Sequence, residues 1–471
     1  MDVLAKLVAK TRDRPIWSLI VLCLALRVWT TALLWIYFQL LPSWERTSLH
    51  ESFDDPTIAA VEAWNRWDTE HFVRIAVEGY KEEKETAFMP LLPMMMRWGA
   101  QGIEGKTIDF SLDWTVASAP TIKNIVLCGM ALATVGSVAA VLSLYYLTST
   151  LFDLQFAHIT SLIYLFAPSP STLHAVPYNE PFSAALSFLG MAFFFKQQYL
   201  LAAIAWGSGT AFRAQSIVLG LGFFGWECIL RGPRRRSAKY EISTLLAGLP
   251  RFIFLSTISI APFFLFELHV HREFCLALPV GAEPRPWCST GLKISYSFVQ
   301  SHYWCSHSST NNGLFNYWRP LQIPNFMFAA PVLYYSILAS YRYYRTNLHA
   351  VVGSTLPFLP ARILPQNPAL SPTSSFLHNT PLDVVPIVHL HTFNVLLFLF
   401  YSHVQIILRL CVLNPVLFWF TASLIRTDLL SASGTKKFAR GSTRLGRAWW
   451  FYVLIWGQVS SVLWAVFLPP A

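Results

Sequence analysis

Residues 16–41 read IWSLIVLCLALRVWTTALLWIYFQLL, an apolar run longer than the roughly 20 residues that a helix needs to cross a bilayer. The run is too long for a signal peptide and has no small-residue cleavage site, so it predicts a retained membrane anchor. Comparable runs recur at residues 125–147 and 245–268. The pattern therefore predicts an all-α protein that crosses the membrane many times.

The composition supports this prediction. Of the 471 residues, 54% are hydrophobic and only 13% are charged, a balance that a soluble globular chain of this length rarely shows. The net charge of +10 could suggest a nucleic-acid partner. However, the Lys and Arg residues cluster at the ends of apolar runs, as in positive-inside membrane topology, so we expect no nucleic-acid binding.

The basic clusters predict a topology of about eleven transmembrane helices. Lys6, Lys10, Arg12 and Arg14 place the N-terminus in the cytosol, and the clusters at 231–239 and 426–447 then also come out cytosolic. The last span ends in the lumen. The predicted spans are residues 16–41, 124–150, 157–176, 181–197, 199–214, 216–230, 245–269, 325–345, 384–403, 411–425 and 448–468.

These spans divide the chain into loops within a single transmembrane catalytic domain, residues 1–471. Residues 42–123, rich in acidic side chains, form the first luminal loop, and residues 270–323 form the second. Residues 346–383 and 426–447 are cytosolic loops. Cys275, Cys288 and Cys305 share the second luminal loop, which leaves a Cys288–Cys305 disulfide and unpaired thiols as alternatives.

Unusual polar residues collect at the luminal side of this topology. The first group is NRWDTEHF at residues 65–72. If this segment is helical, Trp64, Asp68 and His71 lie on one face. A carboxylate there can act as general base for a sugar hydroxyl, and an indole can stack on a sugar ring. The alternative is a solvated loop helix with Trp residues at the membrane interface.

Three further groups follow along the chain. YNEP at residues 178–181 holds Glu180 at the membrane face, where a helix start is the simpler interpretation. Arg213 lies inside a long apolar stretch, where an Arg is costly unless it pairs with an anion such as a lipid phosphate. His403, Gln405 and Arg409 lie near the luminal end of a late span and suit a phosphate or sugar hydroxyls, although a lone His is more often structural.

Several familiar motifs are absent from the sequence. It has no P-loop, no GxGxxG, no Cys/His metal cluster and no Asp-x-Asp pair of the kind that holds a metal-bound nucleotide sugar. We therefore expect neither a metal nor another cofactor. A lipid-linked phosphate donor, which Arg and His side chains can handle, fits these residues better than a soluble sugar nucleotide.

Taken in order along the chain, these motifs resemble the PIG-V family of the multispanning GT-C glycosyltransferases. The resemblance rests on RWD and Phe72 at residues 66–72, GY at 79–80, AFMP at 87–90, YNE at 178–180, Arg213, PWC at 286–288, QIPNF at 322–326 and HVQ at 403–405. It implies a GT-C-like bundle with helical luminal loops. It also implies transfer of a second, α1,6-linked mannose from dolichyl phosphate mannose to the GPI-anchor precursor, in the lumen of the endoplasmic reticulum.

The site residues are assigned on this basis. Asp68 is the general base of an inverting displacement, and Arg213, His403 and Arg409 neutralise the phosphate that leaves. The residues expected to orient the sugars are Trp67, His71, Asn179, Glu180 and Gln405. Two departures from the family pattern stand out: residues 305–310 interrupt a family motif, and Ala214-Gln215-Ser216 replaces the usual residues after Arg213.

Other functions fit the sequence less well. A related GT-C enzyme with a different acceptor is the nearest alternative. A lipid or solute transporter is less favoured, because the chain shows no repeated halves and its polar residues collect at one membrane face. The resemblance also suggests a small membrane partner subunit, which some members of the family have.

Overall fold

The computed structural model describes residues 2–112, 114, 118–169, 171–231, 242–277, 283–289, 294–300, 302–303, 313–356, 384–432 and 442–468. Within these residues the fold is all-α, as predicted. The α-helices are α1 Asp2–Thr11, α2 Pro15–Leu40, α3 Leu49–Ser52, α4 Asp68–Glu78, α5 Leu91–Ile103, α6 Ile122–Leu151, α7 Leu154–Tyr164, α8 Glu180–Phe195, α9 Tyr199–Phe212, α10 Ile217–Gly225, α11 Ile242–His271, α12 Ser295–Val299, α13 Ile323–Thr346, α14 Leu348–Thr355, α15 Val385–Phe400, α16 Ile406–Leu410, α17 Val416–Ala432 and α18 Ser442–Ala465.

The long apolar helices make this a polytopic membrane protein. In the part of the chain that the structure describes, four helical stretches are long and apolar enough to cross a bilayer: Pro15–Leu40, Ile122–Leu151, Leu246–Leu276 and Pro320–Thr346. A further stretch, Ile406–Leu413 with Val416–Arg426, is bent by 82°. The helices α8, α9 and α15 are apolar but shorter. The total of eleven spans stays a prediction.

Most predicted span boundaries agree with helix boundaries, and two differ. The span predicted at 411–425 starts in a 3-10 turn, Cys411–Leu413, and its helix, α17, begins only at Val416. The span predicted at 157–176 is not one helix, because α7 ends at Tyr164 and the chain continues irregularly to a π-helical turn at Ser171–Ala175. Pro168 contributes to this break, since proline lacks the backbone donor that a continuing helix needs. The predicted boundary near residue 214 is confirmed, with Arg213 in extended conformation between α9 and α10.

The bundle has two distinct ends. At one end, Trp464 Nε1 donates to the carbonyl of Ala63 at 3.0 Å, so the end of α18 lies on the first large loop. At the other end, Arg426 Nη1 lies 2.7 Å from Asp153 Oδ2. We call the end that carries residues 42–112 the site face. The end of α18 at this face agrees with the predicted placement of the last span.

The two large loops pack together at the site face. Glu83 of the first loop is buried, and its carboxylate accepts hydrogen bonds from Trp287 Nε1 at 2.5 Å and from the Tyr303 hydroxyl at 3.0 Å. These two aromatic residues belong to the second loop. Trp287 is therefore a buried contact between the two loops.

The cysteine pairing differs from the sequence-based alternatives. Cys275 is bonded to Cys288, with a Cα–Cα distance of 5.7 Å. A cysteine forms only one disulfide, so the Cys288–Cys305 pairing is wrong, and so is an unpaired Cys288. Cys305 lies outside the described residues. The extension of α11 as a π-helical turn through Leu276 brings Cys275 back to the loop, which spacing alone did not reveal.

Candidate active site

Four residues predicted from distant parts of the chain meet at the site face. Asp68, Glu180, Arg213 and Arg409 form what we call the charge cluster. Arg409 Nη2 lies 2.6 Å from Asp68 Oδ2, and Arg213 Nη1 lies 2.7 Å from Glu180 Oε1. The Nε of Arg409 donates to the same oxygen of Glu180. Two guanidinium groups and two carboxylates thus alternate in one continuous network.

Local structure places both acids at helix N-termini. Asp68 is the first residue of α4 and Glu180 is the first residue of α8. The helix dipole stabilises negative charge at these positions. Pro181 immediately after Glu180 fits the first turn of a helix, where its missing N–H costs nothing. The helix-start interpretation of Glu180 is therefore correct, and it is compatible with a role in the site.

Arg213 enters the cluster because the helix breaks beneath it. It is the residue after α9, in extended backbone conformation. Asn179 supports it: Asn179 Oδ1 accepts from Arg213 Nη1 at 3.1 Å, and Asn179 Nδ2 donates to the carbonyl of Phe212 at 2.9 Å. Asn179 therefore holds the end of α9 as well as the guanidinium. Sequence analysis assigned it only to sugar binding.

Tyr178 is a site residue that sequence analysis did not assign. Its ring lies beneath the guanidinium of Arg409, 4.7 Å from Cζ, and its hydroxyl accepts the backbone N–H of Asp68 at 3.2 Å. Tyr178 is almost fully buried. It therefore fixes Arg409 and the start of α4 relative to each other. Its position next to Asn179 in the YNEP motif was the available signal.

A second unassigned residue anchors the far end of α4. Arg97 is fully buried, and its Nη1 donates to the carbonyls of Ala76 and Val77 at 2.8 Å each. These carbonyls belong to the last turn of the helix, which lacks intrahelical donors. Arg97 thus positions the helix that carries Asp68 without touching the charge cluster.

The segment before Asp68 differs from the predicted helix. Trp64 lies in a separate 3-10 turn, Glu62–Trp64, and α4 begins only at Asp68. Trp64, Asp68 and His71 therefore do not share one helical face. Asp68 and His71 do, because they are three residues apart within α4. The ring of His71 stacks on Phe88 at 4.9 Å, and burial lowers the pKa of His71 below its ordinary value.

A sharp corner at Trp67 separates the two helical turns. Trp67 has φ 57° and ψ −132°, a conformation that is costly for any residue except glycine. Its ring packs on Phe467 at 5.2 Å. Arg66 lies between the rings of Phe38 and Phe467, at 5.3 and 4.8 Å, and donates to Ser43 Oγ at 2.8 Å. These contacts hold the strained corner that aims Asp68 at Arg409.

The strain at Trp67 leads to an unusual stability prediction. Trp67→Gly and Trp67→Ala both remove the indole, but only glycine adopts φ 57°, ψ −132° without steric cost. We expect the Gly variant to be more stable than the Ala variant by about 1–3 kcal/mol, the reverse of their usual order. Thermal unfolding of the purified variants in detergent measures the difference. An Ala variant as stable as the Gly variant would contradict the strained geometry.

The remaining predicted residues form a second group beside the first. The ring of Tyr317 stacks on His403 at 4.7 Å, and the Tyr317 hydroxyl donates to Gln405 Oε1 at 2.7 Å. Asn325 Nδ2 donates to the Tyr317 hydroxyl at 2.8 Å. The trio predicted in the late span is therefore divided. Arg409 joins the charge cluster, whereas His403 stacks on Tyr317 and Gln405 joins an uncharged network with Tyr317 and Asn325.

The charge cluster sets the ionisation of Asp68. Burial by itself opposes ionisation, but Arg409, His71 and Arg213 outweigh it and lower the pKa of Asp68 below its usual range. The Asp68 side chain remains 30% exposed, whereas that of Glu180 is 1% exposed. Asp68 is thus the ionised carboxylate that a ligand can reach, and Glu180 is the buried one that holds two arginines.

Several buried polar atoms near Asp68 have no hydrogen-bond partner among the described contacts. They are Trp64 Nε1, Trp67 Nε1, His71 Nδ1 and Glu180 Oε2. Similar buried atoms occur elsewhere in the described residues, so those near Asp68 add to the geometry of the charge cluster and do not define a ligand site by themselves. In the same described ranges, no set of three His, Cys, Asp or Glu side chains is arranged to hold a metal ion.

Comparisons with known proteins match this chain to a mannosyltransferase family and to individual mannosyltransferases. The profile of the family described as Mannosyltransferase (PIG-V) matches residues 6–471. The protein named GPI mannosyltransferase 2 of Cryptococcus neoformans var. neoformans serotype D is 31% identical over 419 residues, which are 86% of this chain and 88% of that relative. The GPI alpha-1,6-mannosyltransferase 2 of Cricetulus griseus is 27% identical and covers 77% of this chain and 73% of its own length.

Among solved structures, the Archaeoglobus fulgidus oligosaccharyltransferase tethered to an acceptor peptide matches with a TM-score of 0.46 and 10% identity, over 95% of this chain and 55% of that one. These values are too low to support an inference. The family profile, by contrast, spans nearly the whole chain, and the Cryptococcus relative is similar over most of both lengths. The chain therefore belongs to the PIG-V family and is a mannosyltransferase.

Proposed function

We propose that this protein transfers the second mannose of the GPI anchor, in α1,6 linkage, from dolichyl phosphate mannose to the mannosylated glucosaminyl phosphatidylinositol precursor. Relatives named GPI mannosyltransferase 2 and GPI alpha-1,6-mannosyltransferase 2 support the linkage and the acceptor. The observation that carries the proposal is the charge cluster, in which an accessible carboxylate adjoins two arginines at one membrane face. That arrangement suits a lipid-linked phosphate donor and a hydroxyl acceptor.

The proposed reaction is a single displacement with inversion at the anomeric carbon. The acceptor hydroxyl oxygen forms a bond to the anomeric carbon of mannose while the bond from that carbon to the phosphate oxygen breaks. Asp68 takes the hydroxyl proton, and the bonding electrons leave with the dolichyl phosphate. Arg213 and Arg409 stabilise the charge that develops on the phosphate. His403, in the neighbouring group, is placed to assist them.

Arg409 has two potential partners in this scheme. In the free protein it holds Asp68 at 2.6 Å, which lowers the pKa of the carboxylate and makes it a weak base. A donor phosphate that binds Arg409 competes with Asp68 for the same guanidinium. Binding of the donor therefore loosens the ion pair and raises the basicity of Asp68 at the moment when a base is needed.

This competition leads to a prediction about pH. The ion pair stabilises the folded protein above the ordinary Asp pKa of about 3.9, and that stability is lost as the pH falls through the lower pKa of the folded state. On the acid side, the fall of kcat/KM with pH reports the pKa of Asp68 in the free enzyme. The fall of kcat reports the pKa of Asp68 in the enzyme with its substrates bound. We expect the fall of kcat to lie at higher pH. Initial rates over a series of pH values test this; coincident falls would contradict the competition.

The other assigned residues orient the sugars. Glu180 acts indirectly, because its carboxylate is buried and holds Arg213 and Arg409. Trp67 and His71 flank Asp68 on the chain, and Asn179 holds Arg213. Gln405, one turn before Arg409, belongs to the uncharged network. We assign these residues to the sugar hydroxyls around the Asp68 carboxylate.

We assign the site face to the lumen of the endoplasmic reticulum and the N-terminus to the cytosol. The support is the distribution of basic residues: Lys6, Lys10, Arg12 and Arg14 precede α2, and the first large loop is acidic. A small partner subunit in the same membrane completes the proposal. Labelling of single cysteines at Ser52 and at Lys10 in intact microsomes tests the orientation, since only the second is accessible from outside.

The decisive experiment is an assay of the purified protein in detergent. Dolichyl phosphate mannose is offered with the mannosylated GPI precursor, with the unmannosylated precursor, or with a peptide acceptor. Labelled product from the mannosylated precursor alone, with an α1,6 linkage, is the expected result. Product from another acceptor would identify a different member of the same reaction class, and no product with any acceptor would reject the proposal.

A further inference from the structure

We infer that Tyr317, Gln322, Asn325 and Gln405 form an uncharged sugar-binding subsite next to the charge cluster. We call it the amide subsite. The inference rests on the proposed function, because it assigns a ligand class to one part of the same site. From the sequence, Gln405 is expected to orient sugars, whereas Gln322 and Asn325 have no assigned role.

Backbone contacts place Tyr317 at the site face. The amides of Gly313 and Phe315 donate to the carbonyls of Tyr401 and Phe400, at 2.7 Å each. These carbonyls lie at the C-terminal end of α15, which has no intrahelical donors for them. The segment therefore caps α15 and turns the Tyr317 ring onto His403. Tyr317 is 3% exposed, so its position is set by packing.

The hydrogen bonds of the amide subsite are only partly used. The Tyr317 hydroxyl donates to Gln405 and accepts from Asn325, and Asn325 Nδ2 also donates to Gln322 Oε1 at 2.7 Å. Among the described contacts, no partner is recorded for Gln405 Nε2, Asn325 Oδ1 or Gln322 Nε2. All three amide side chains are half-buried rather than enclosed. Two donors and one acceptor, already oriented, therefore remain for a ligand.

The chemistry of the amide subsite selects its ligand. It consists of three amides and a phenol hydroxyl, and no carboxylate or guanidinium takes part in their hydrogen bonds among the described residues. Neutral groups that both donate and accept match vicinal sugar hydroxyls, whereas a phosphate would be better served by the charge cluster. The ligand class is therefore a hexose with free hydroxyls.

Its distance from the reacting groups is also suitable. Gln405 precedes α16 directly, and Arg409 lies four residues later on the same face of that helix. One helical turn rises about 5.4 Å, close to the width of one hexose ring. A sugar in the amide subsite therefore lies next to the phosphate position, either as the mannose of the donor or as the terminal sugar of the acceptor.

The kinetics of two variants show whether the donor or the acceptor occupies the amide subsite. Tyr317→Phe keeps the ring on His403 and removes the hydroxyl that orients the amides of Gln405 and Asn325, and Asn325→Ala removes one amide. We expect each to raise one KM about tenfold, as for the loss of one or two hydrogen bonds, with kcat changed less than about threefold. The substrate whose KM rises is the one that occupies the subsite. Tyr344→Phe is the matched control, because its hydroxyl bonds His389 and Thr392 in a network separate from the amide subsite.

The outcomes distinguish this inference from the proposed function. Where transfer is measurable, unchanged KM values for both substrates in a folded Tyr317→Phe variant overturn the subsite. Where the wild-type protein transfers no mannose, the proposed function fails, and saturation-transfer NMR with methyl α-mannoside decides instead. A signal present in the wild type and lost in Tyr317→Phe supports the subsite, and a signal that is absent or equal in both overturns it. Thermal unfolding confirms that the variants are folded. If Asn325→Ala does not fold, the result for Tyr317→Phe alone decides whether the subsite exists.

Discussion

Replacing Asp68 by Asn is expected to lower kcat by about 10²- to 10⁴-fold, the usual contribution of a general base. The amide has the same shape and can still contact Arg409, but it cannot accept the proton of the acceptor hydroxyl. Because Arg213 and Glu180 remain paired, donor binding should change much less than kcat. Initial rates of mannose transfer, with donor and acceptor varied separately, measure both effects.

Asp54→Asn is the matched control for this prediction. Asp54 is an exposed carboxylate in the same loop, so its variant should transfer mannose at the wild-type rate. A folded Asp68→Asn variant with near-normal kcat would exclude Asp68 as the base. A large increase in donor KM with an unchanged kcat would instead assign Asp68 to positioning Arg409.

Replacing Arg409 by Lys is expected to reduce transfer about 100-fold or more, although the charge is kept. Arg409 uses Nη2 for Asp68 and Nε for Glu180, and its planar group lies over Tyr178. A lysine ammonium is a single point of charge on a flexible stem and cannot reproduce this fork. Both KM for the donor and kcat should change, because the same group contacts the phosphate before and during the displacement.

Arg409→Met should lower the stability of the folded protein more than Arg409→Lys does, because it removes the charge as well. The loss should stay below the roughly 3–5 kcal/mol of a buried charge left without a partner, since Glu180 retains Arg213 and Asp68 is partly exposed. Arg426→Lys serves as control, since Arg426 makes one ion pair with Asp153 at the opposite end of the bundle. Equal losses in Arg409→Lys and Arg426→Lys would show that the effect is general destabilisation and would refute the assigned role.

Much of the charge cluster was predictable because charge is conspicuous in an apolar chain. Arg213 and Glu180 stand beside or inside long hydrophobic runs, where an ionised group is costly without a partner. The topology then placed them at the same membrane face as Asp68 and Arg409. The structure adds the pairing: Arg409 binds both acids, and Glu180 binds both arginines.

The residues that sequence analysis missed are those whose role depends on packing. Tyr178 and Phe467 are aromatic residues in a chain in which 15% of residues are aromatic, so residue type alone does not distinguish them. Their functions follow from contacts with residues far away along the chain, such as Phe467 with Trp67. The Cys275–Cys288 pairing was missed for the same reason, because it depends on the path of the chain after α11.

By itself, the sequence determined the class of protein and most helix boundaries, because the length of an apolar run and the positions of its flanking charges are local quantities set by the thickness of the bilayer. Only the tertiary structure decided which polar groups meet. It divided His403 and Gln405 from Arg409, placed the strained corner at Trp67 before Asp68, and paired Cys288 with Cys275. Such contacts depend on side-chain direction and on how separate helices pack, which no local pattern in the chain contains.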